Sequence, residues 1–226
     1  MTDKPEVSFA KSFVFCSLSD RPQLSQILFE HLQSYCDKHG YKCVLEHKSL
    51  CNERAPAWSK ILLLQREMKN NPDYEYVVWV DDDILITNKN KKFEDFINDN
   101  KHSNIIVSED AIKSYPMNTG IIICKNDEQS LNYLQYIWEL CEKYPDSKYQ
   151  GLWEQDIMTR DFTEGHRGFT ENPNQKIIKI LPYKTIQTFY RTSNPDWRPS
   201  DFSAHFTGMS MDKRIQMRND ILKIIK

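Results

Sequence analysis

The sequence contains no long apolar run. No stretch approaches the roughly 20 apolar residues that a membrane-spanning helix needs, and the first residues, MTDKPEVSFAKSF, lack the apolar segment of a signal peptide. There is also no excess of one charge sign, because 30 Lys and Arg residues stand against 32 Asp and Glu residues. We therefore expect no transmembrane segment, and no nucleic-acid partner held through many phosphate contacts.

The six cysteines lack the spacing of a metal site. They form no CxxC pair and no Cys/His ligand pattern, which favours reduced thiols in the core, although one or two disulfides are also compatible with the sequence. No internal repeat, low-complexity tract or linker divides the chain. With 226 residues, of which 39% are hydrophobic, the sequence predicts one domain with a sizeable core.

The first 80 residues alternate between strand and helix patterns. Pro22 stands where a helical series of apolar residues begins, and Gly40 stands where it ends. The predicted elements are strands at 11–19, 41–47 and 75–80, and helices at about 22–39 and 56–70. Strand, helix, strand, helix, strand is the pattern of a right-handed parallel sheet, so we expect an α/β fold.

The second half is less regular. Its predicted elements are a short helix at 93–97, strands at 105–107, 120–124 and 177–181, and helices at about 128–143 and 210–225. Asn126 and Asp127 are suited to cap the helix that begins near residue 128. We predict loops at 163–175 and 191–203, and the first is long enough to suggest a substrate-facing role.

Three consecutive aspartates, Asp81, Asp82 and Asp83, follow the most strand-like run of the chain. Carboxylates clustered at the carboxyl edge of an α/β sheet repel one another, and a divalent cation that bridges to phosphate oxygens removes the repulsion. Alternate residues of an extended segment point the same way, so Asp81 and Asp83 are expected to reach one ion while Asp82 points elsewhere. The alternative is a solvated turn with a capping Asp.

Four further motifs carry groups of chemical interest, each with an ordinary structural alternative. His205 has an imidazole suited to manganese, but lone histidines are more often surface or hydrogen-bonded residues. Lys60 lies at the start of a helix that faces the sheet edge, where its ammonium could pair with a diphosphate. The alternative is an exposed lysine beside a core Trp. Asn118 suits sugar hydroxyls or an ordinary turn. Glu154 and Asp156 flank a reacting carbon or are acids of a first helical turn.

Taken in order, these motifs resemble a GT-A glycosyltransferase. The nearest likeness is the family that includes the α-mannosyltransferases of mannan outer chains, the galactomannan galactosyltransferases and the xyloglucan xylosyltransferases. The motifs that carry it are His39-Gly40-Tyr41, Trp58-Ser59-Lys60, Tyr76–Asp83, Asn118-Thr119-Gly120, Trp153–Asp156 and His205-Phe206-Thr207-Gly208. The resemblance implies a single GT-A domain over 1–226 with a mostly parallel central sheet, a nucleotide-binding half at about 1–88 and an acceptor and catalytic half at about 89–226.

The resemblance also implies a reaction and its site residues. A hexose-type sugar would move from a nucleoside-diphosphate sugar, most simply a UDP-sugar, to a hydroxyl group of a glycan acceptor with the help of Mn2+ or Mg2+. The implied metal ligands are Asp81, Asp83 and His205. The implied donor-binding residues are Ser17, Arg21, Glu46, Lys60, Asp82 and Lys213. The residues implied at the donor sugar and acceptor are Asn118, Glu154 and Asp156.

The chain departs from this pattern because it has no membrane anchor or stalk, so we expect a cytoplasmic enzyme or an excised soluble catalytic domain. Two other functions are compatible with the motif. A phosphohydrolase of the haloacid-dehalogenase type also has Asp-x-Asp after a strand, but it expects Thr or Val where Leu85 stands, and its motif normally lies near the N-terminus. A non-catalytic binder of nucleotide sugars or carbohydrates has no need of Asp81, Asp83 and His205 together.

Overall fold

The computed structural model describes residues 12–112, 115–143, 153–164, 177–190 and 196–225. The strands of this part are β1 Phe13–Leu18, β2 Lys42–Glu46, β3 Tyr76–Val80, β4 Ile84–Ile86, β5 Ile105–Ser108, β6 Asn118–Lys125, β7 Ile178–Leu181, β8 Thr188–Phe189 and β9 Ser203–His205. The helices are α1 Pro22–His39, α2 Ser59–Asn70, α3 Glu94–Ile97, α4 Glu128–Lys143, α5 Glu154–Glu164 and α6 Met211–Ile224, with 3-10 turns at Pro56–Trp58 and Asn98–Asn100.

The predicted alternation of strands and helices in the first 80 residues is confirmed. Pro22 occupies the first turn of α1, and Gly40 ends the helix with a φ of 72°, a left-handed conformation that glycine adopts without a steric penalty. In the second half, Asp127 accepts a hydrogen bond from the Ser130 N–H at 2.9 Å and caps α4 as expected.

Two predicted loops need correction at their edges. Helix α5 extends through Glu164, so the loop predicted at 163–175 starts later, and residues 165–175 lie outside the described part of the chain. The loop predicted at 191–203 gives way to β9 at Ser203, and residues 191–195 are likewise outside the description.

Six of the described strands form a central sheet in the order β2-β1-β3-β6-β5-β7. Strand β1 is parallel to β2 and β3, and β5 is parallel to β7, whereas β6 runs antiparallel to both of its neighbours. The sheet is therefore mostly parallel with one reversed strand, in agreement with the expected α/β fold.

A smaller sheet brings the C-terminal part of the chain to the end of β3. Its order is β4-β9-β8, with β4 antiparallel to β9 and β8 parallel to it. In this register Ile84 pairs with His205. Because β4 follows the three aspartates directly, the pairing sets His205 beside them.

The core lies on both faces of the central sheet. Alternate residues of β1 and β3 point to opposite faces, so one cluster contains Val14 and Val77 with residues of α2, α4 and α5. The other contains Phe15 and Val78 with residues of α1 and α3. Within the described residues, no helix has both the length and the apolar character that crossing a bilayer requires.

Five of the six cysteines have side chains that the structure describes, and all five are free thiols: Cys16, Cys36, Cys43, Cys51 and Cys124. Burial raises the pKa of the Cys16 and Cys124 thiols, so these two groups stay protonated at neutral pH.

Candidate active site

The three aspartates occupy a turn rather than an extended segment. The Asp81 N–H donates to the Gly120 carbonyl at 2.8 Å, and the Ile84 N–H donates back to the Asp81 carbonyl at 3.1 Å. The sequence predicts that Asp82 points away from its two neighbours because of strand alternation. The structure separates the side chains in the predicted way, but the turn between β3 and β4 is the cause.

Asp81, Asp83 and His205 converge. One ligand atom from each of the three lies within 4.8 Å of the other two. His205 Nε2 is 3.2 Å from Asp83 Oδ1, and the Phe206 N–H donates to the Asp83 carbonyl at 2.9 Å, which fixes β9 against the turn. Two carboxylates and an imidazole are a donor set that fits a divalent cation such as Mn2+.

Asp83 is a permanently ionised carboxylate at neutral pH. Burial alone would raise its pKa, but His205 and the guanidinium groups of Arg214 and Arg21 outweigh burial and lower the pKa to about 2. Arg214 pairs directly with Asp83, with 3.0 Å between Nη1 and Oδ2. A metal ligand with this pKa needs no deprotonation before it can bind an ion.

Asp81 is coupled to a buried network around Lys60. Burial and the charge of Asp83 raise the pKa of Asp81 to about 6, against the opposing effect of the Lys60 ammonium. Lys60 Nζ lies 3.0 Å from Asp81 Oδ1 and 2.6 Å from Glu154 Oε1, and it donates to the Thr119 carbonyl at 2.9 Å. Burial lowers the pKa of Lys60, but the two carboxylates outweigh burial and the pKa is raised, so the group stays charged.

Asp82 is held on the other side of the turn. It accepts hydrogen bonds from Ser19 Oγ and, at both carboxylate oxygens, from Arg21, whose Nε is 3.0 Å away. The Arg21 N–H in turn donates to Ser19 Oγ at 3.0 Å. The bidentate pair fixes the carboxyl end of β1 to the carboxyl end of β3.

Asn118 lies at the start of β6 and is fully engaged. Its Nδ2 donates to Asp110 Oδ2 at 2.9 Å, and its Oδ1 accepts from the Gly120 N–H at 2.9 Å and from Gln187 Nε2 at 2.8 Å. Gly120 has no room for a side chain, because a Cβ atom there would be 2.6 Å from His205 Cε1. Glycine at this position therefore lets His205 approach the aspartates.

Helix α5 begins at the same place. Glu154 is buried, and no hydrogen-bond partner of its Oε2 is found among the described residues. Asp156 Oδ2 accepts from the Trp153 N–H at 3.2 Å, which is half of a capping box. Gln155 Oε1 accepts from the Thr119 N–H at 3.0 Å and ties the first turn of α5 to β6.

These side chains line one cavity of about 630 Å3. The sequence-predicted site residues on its wall are Arg21, Lys60, Asp81, Asp82, Asp83, Asn118, Glu154, Asp156 and His205. Ser17, Glu46 and Lys213 are not on it: Ser17 is buried within β1, Glu46 Oε1 pairs with Arg66 at 2.5 Å, and Lys213 is exposed on α6.

Arg214 is a site residue that the sequence reasoning missed. Its side chain lines the cavity and pairs with Asp83, whereas the adjacent Lys213 faces solvent. Arg214, Met217 and Ile221 recur at helical spacing, and the last two are buried. This spacing was the signal that would have placed Arg214, rather than Lys213, on the inner face of the helix.

Residues 9–116 match the model of the galactosyl transferase GMA12/MNN10 family. The chain is 29% identical to an alpha-1,2-galactosyltransferase of Schizosaccharomyces pombe over 101 residues, 43% of this chain and 26% of that protein. It is 28% identical to the probable xyloglucan 6-xylosyltransferase 3 of Arabidopsis thaliana over 153 residues, 65% of this chain and 32% of that protein. The chain therefore spans about a quarter to a third of the length of these two relatives.

The fold is found in solved glycosyltransferases. A glycosyltransferase involved in glycosylation of the major capsid of PBCV-1 superposes with a TM-score of 0.74 at 19% identity, over 92% of this chain and 99% of that one. Mouse xyloside xylosyltransferase 1 superposes with a TM-score of 0.52 at 11% identity, over 87% of this chain and 98% of that one. The chain is thus similar in sequence to the galactosyl transferase GMA12/MNN10 family over residues 9–116, and it shares the fold of solved glycosyltransferases.

Proposed function

We propose that this chain is a metal-dependent glycosyltransferase that moves a hexose-type sugar from a nucleoside-diphosphate sugar to a hydroxyl group of a carbohydrate acceptor. The observation that carries the proposal is the convergence of Asp81, Asp83 and His205 within 4.8 Å on the wall of a cavity. A bound Mn2+ or Mg2+ would neutralise the charge that develops on the leaving nucleoside diphosphate.

The charge balance of the cavity supports a cation. Seven carboxylate side chains line it, against three basic ones, Arg21, Lys60 and Arg214. Each of the three is already paired with an aspartate. A donor with two phosphate groups would therefore meet net negative charge, and a divalent cation removes that barrier.

The three basic residues of the cavity have different roles in this proposal. Lys60 acts as a positioning residue, because it holds Asp81 and Glu154 rather than presenting a free ammonium to the cavity. Arg214 places positive charge on the cavity wall beside Asp83, where a phosphate oxygen would approach the ion. Arg21 and Asp82 form the wall at the end of β1, on the side that we assign to the nucleoside.

The opposite side of the cavity belongs to the sugar and the acceptor. Asn118 and the first turn of α5, with Glu154 and Asp156, lie across from the β1 end. We therefore assign the nucleotide to the half of the chain at about 1–88 and the acceptor to the half at about 89–226. The name of one relative favours a galactosyl donor, which carries a hexose. The name of the other points instead to a xylosyl donor, which carries a pentose, so the donor panel below includes both sugars. UDP is the nucleotide that the family resemblance implies.

The first test measures ligand binding by thermal unfolding. Wild-type protein is heated with Mn2+, with UDP, and with both together. A ligand at 100 times its dissociation constant stabilises a protein by about 2.7 kcal/mol, which raises the midpoint by several degrees in a chain of this size. We expect the two ligands to stabilise the protein together more than the sum of their separate effects. The absence of any shift with both ligands would contradict the proposal.

The second test measures transfer with UDP-galactose, UDP-xylose and UDP-glucose as donors. Asp83→Asn keeps the shape of the side chain but removes its charge, so it should abolish UDP release and the joint stabilisation. Asp220→Asn is the matched control, because the Asp220 side chain is 46% exposed on α6 and, among the described residues, forms its ion pair with Lys223. Joint stabilisation without turnover would indicate a binder, and a phosphoaspartate at Asp81 would indicate the phosphohydrolase.

A further inference from the structure

One part of the cavity rim is apolar, although charged side chains line the interior of the cavity. Among the described residues, four large hydrophobic side chains are exposed: Ile112 at 40%, Tyr115 at 40%, Trp153 at 60% and Ile224 at 55%. Three of them, Ile112, Tyr115 and Trp153, line the cavity. Exposed apolar side chains gathered at one opening mark a binding surface rather than ordinary surface scatter.

The rim lies on the side of the cavity away from the β1 end. Ile112 and Tyr115 follow β5, and β5 is separated from β1 by β6 and β3 in the sheet. Trp153 precedes α5, whose Gln155 is bonded to Thr119 at the start of β6. The rim therefore lies at the β5–β6 side of the cavity. Arg21 lies at the β1 side, and the proposed metal ligands lie between the two.

The rim is held in place by its backbone. Trp153 uses its carbonyl to accept from the Asp156 and Ile157 N–H groups at 3.1 and 3.2 Å, and its own N–H donates to Asp156 Oδ2. The Tyr115 N–H donates to the Ile112 carbonyl at 2.9 Å. An exposed indole on a fixed backbone is a preorganised contact, which lowers the entropy lost on binding.

We infer that Trp153, with Tyr115 and Ile112, is the platform on which a pyranose ring of a saccharide acceptor lies. A pyranose presents an apolar face of C–H groups and an edge of hydroxyl groups. An aromatic ring covers the apolar face of the sugar, and the polar side chains below the rim hydrogen-bond to its hydroxyl groups. This inference rests on the proposed glycosyl transfer, and it adds which side chains hold the carbohydrate acceptor.

Fluorescence tests the platform without turnover. Of the five tryptophans, Trp58, Trp79 and Trp197 are buried and Trp138 is partly buried, so Trp153 is the one that a ligand can shield best. The probes are the α- and β-methyl glycosides of glucose, galactose, mannose and xylose, added to protein with Mn2+ and UDP. We expect at least one of them to shift the emission to the blue and to protect it from acrylamide, and Trp153→Phe should lose both signals.

Kinetics with the saccharide that gives the signal test the same contact. Trp153→Ala should raise the KM for that saccharide about tenfold, which corresponds to about 1.4 kcal/mol. Trp153→Phe, which keeps a ring, should lie closer to wild type. Ile224→Ala is the matched control, because it removes an equally exposed apolar side chain outside the cavity. In Ile224→Ala, the KM for the saccharide, donor hydrolysis to water and the Mn2+–UDP stabilisation should all be unchanged.

Three results would overturn the inference while the proposed function survives. The first is an unchanged KM in Trp153→Ala. The second is no binding of any glycoside by protein that Mn2+ and UDP do stabilise. The third is an emission shift caused by UDP alone and a loss of UDP affinity in Trp153→Ala, which would assign the rim to the nucleobase. Failure of the proposed function has a different signature, because wild-type protein would then show neither stabilisation by Mn2+ and UDP nor donor hydrolysis.

Discussion

Gly120 provides the sharpest test of the proposed metal site, because the surrounding side chains leave no space for a methyl group at this position. A Cβ atom at this position would lie 2.6 Å from His205 Cε1, 2.9 Å from Gln187 Oε1 and 3.0 Å from Asn118 Oδ1. Favourable contacts between such atoms occur at about 3.5–4.0 Å. In Gly120→Ala, the His205 ring must therefore move by a large part of an ångström or the strand must shift.

The size of the effect follows from the packing. Overpacking a buried site costs about 1–3 kcal/mol, and a disturbed ligand shell typically lowers metal affinity about 10–100-fold. We expect Gly120→Ala to lower the unfolding midpoint in the absence of ligand and to lose most of the stabilisation by Mn2+ and UDP. Isothermal titration with Mn2+ measures the affinity directly, and urea unfolding measures the stability.

Two controls separate the site from the fold. Ile123→Val, in the same strand, should cost about 0.5–1.5 kcal/mol of stability but leave the Mn2+ affinity unchanged, because Ile123 packs in the core on the other side of β6. In a double-mutant cycle, His205→Ala removes the atom that clashes, so Gly120→Ala should cost less stability in that background. Undiminished Mn2+ affinity in Gly120→Ala would refute the assignment of His205 as a ligand.

Three other substitutions give clear expectations. Lys60→Met should cost about 3–5 kcal/mol in urea unfolding, because it leaves the buried Glu154 and the partly buried Asp81 without their shared cation. A cost below about 1 kcal/mol would mean that water solvates the two carboxylates. Arg214→Ala should weaken UDP binding about tenfold or more in the presence of Mn2+, whereas Lys213→Ala should not, and equal losses in the two variants would contradict the placement of Arg214. Asp127→Ala should cost about 1 kcal/mol at pH 7 through loss of the α4 cap. The hydrogen bonds from Ser130 and Asn104 lower the pKa of Asp127 despite partial burial. The stability that the cap contributes is therefore complete above about pH 4 and is lost as the pH falls through the lowered pKa. If Asp127→Ala destabilised the protein as much at pH 3 as at pH 7, the result would contradict the cap.

The first half of the fold could be predicted because local signals agree with the tertiary structure. Pro22 and Gly40 mark the ends of α1, and both act through backbone conformation alone. The direction of β6 could not be predicted. Its residues are buried along nearly the whole strand, and a uniformly apolar strand fits a parallel or an antiparallel neighbour equally well.

The site, too, contains residues that local sequence predicts and residues that it does not. Asp81 and Asp83 were predictable from a local pattern, since the clustered charges follow a buried strand directly. His205 reaches them only through the β4–β9 pairing, which joins distant parts of the chain and leaves no local trace. Its role could be expected from the family resemblance but not from the chemistry of a lone histidine. Arg214 is an intermediate case, because helical spacing placed it but the run of neighbouring cations obscured it.

Lys60 shows how the structure changes the interpretation of a motif. The sequence predicts a lysine that touches phosphate, and the structure surrounds its ammonium with Asp81, Glu154 and Thr119 at hydrogen-bonding distance. A charge already balanced by two carboxylates has little attraction left for an anion. The Lys60 ammonium also lowers the pKa of Asp81 and so opposes the rise in that pKa that burial causes. In the proposed reaction, the positive charge that meets the diphosphate would then come from a bound cation and from Arg214, which pairs with one carboxylate, that of Asp83, where Lys60 pairs with two. In the proposed reaction, Lys60 would act indirectly, by keeping Asp81 ionised and oriented for that cation.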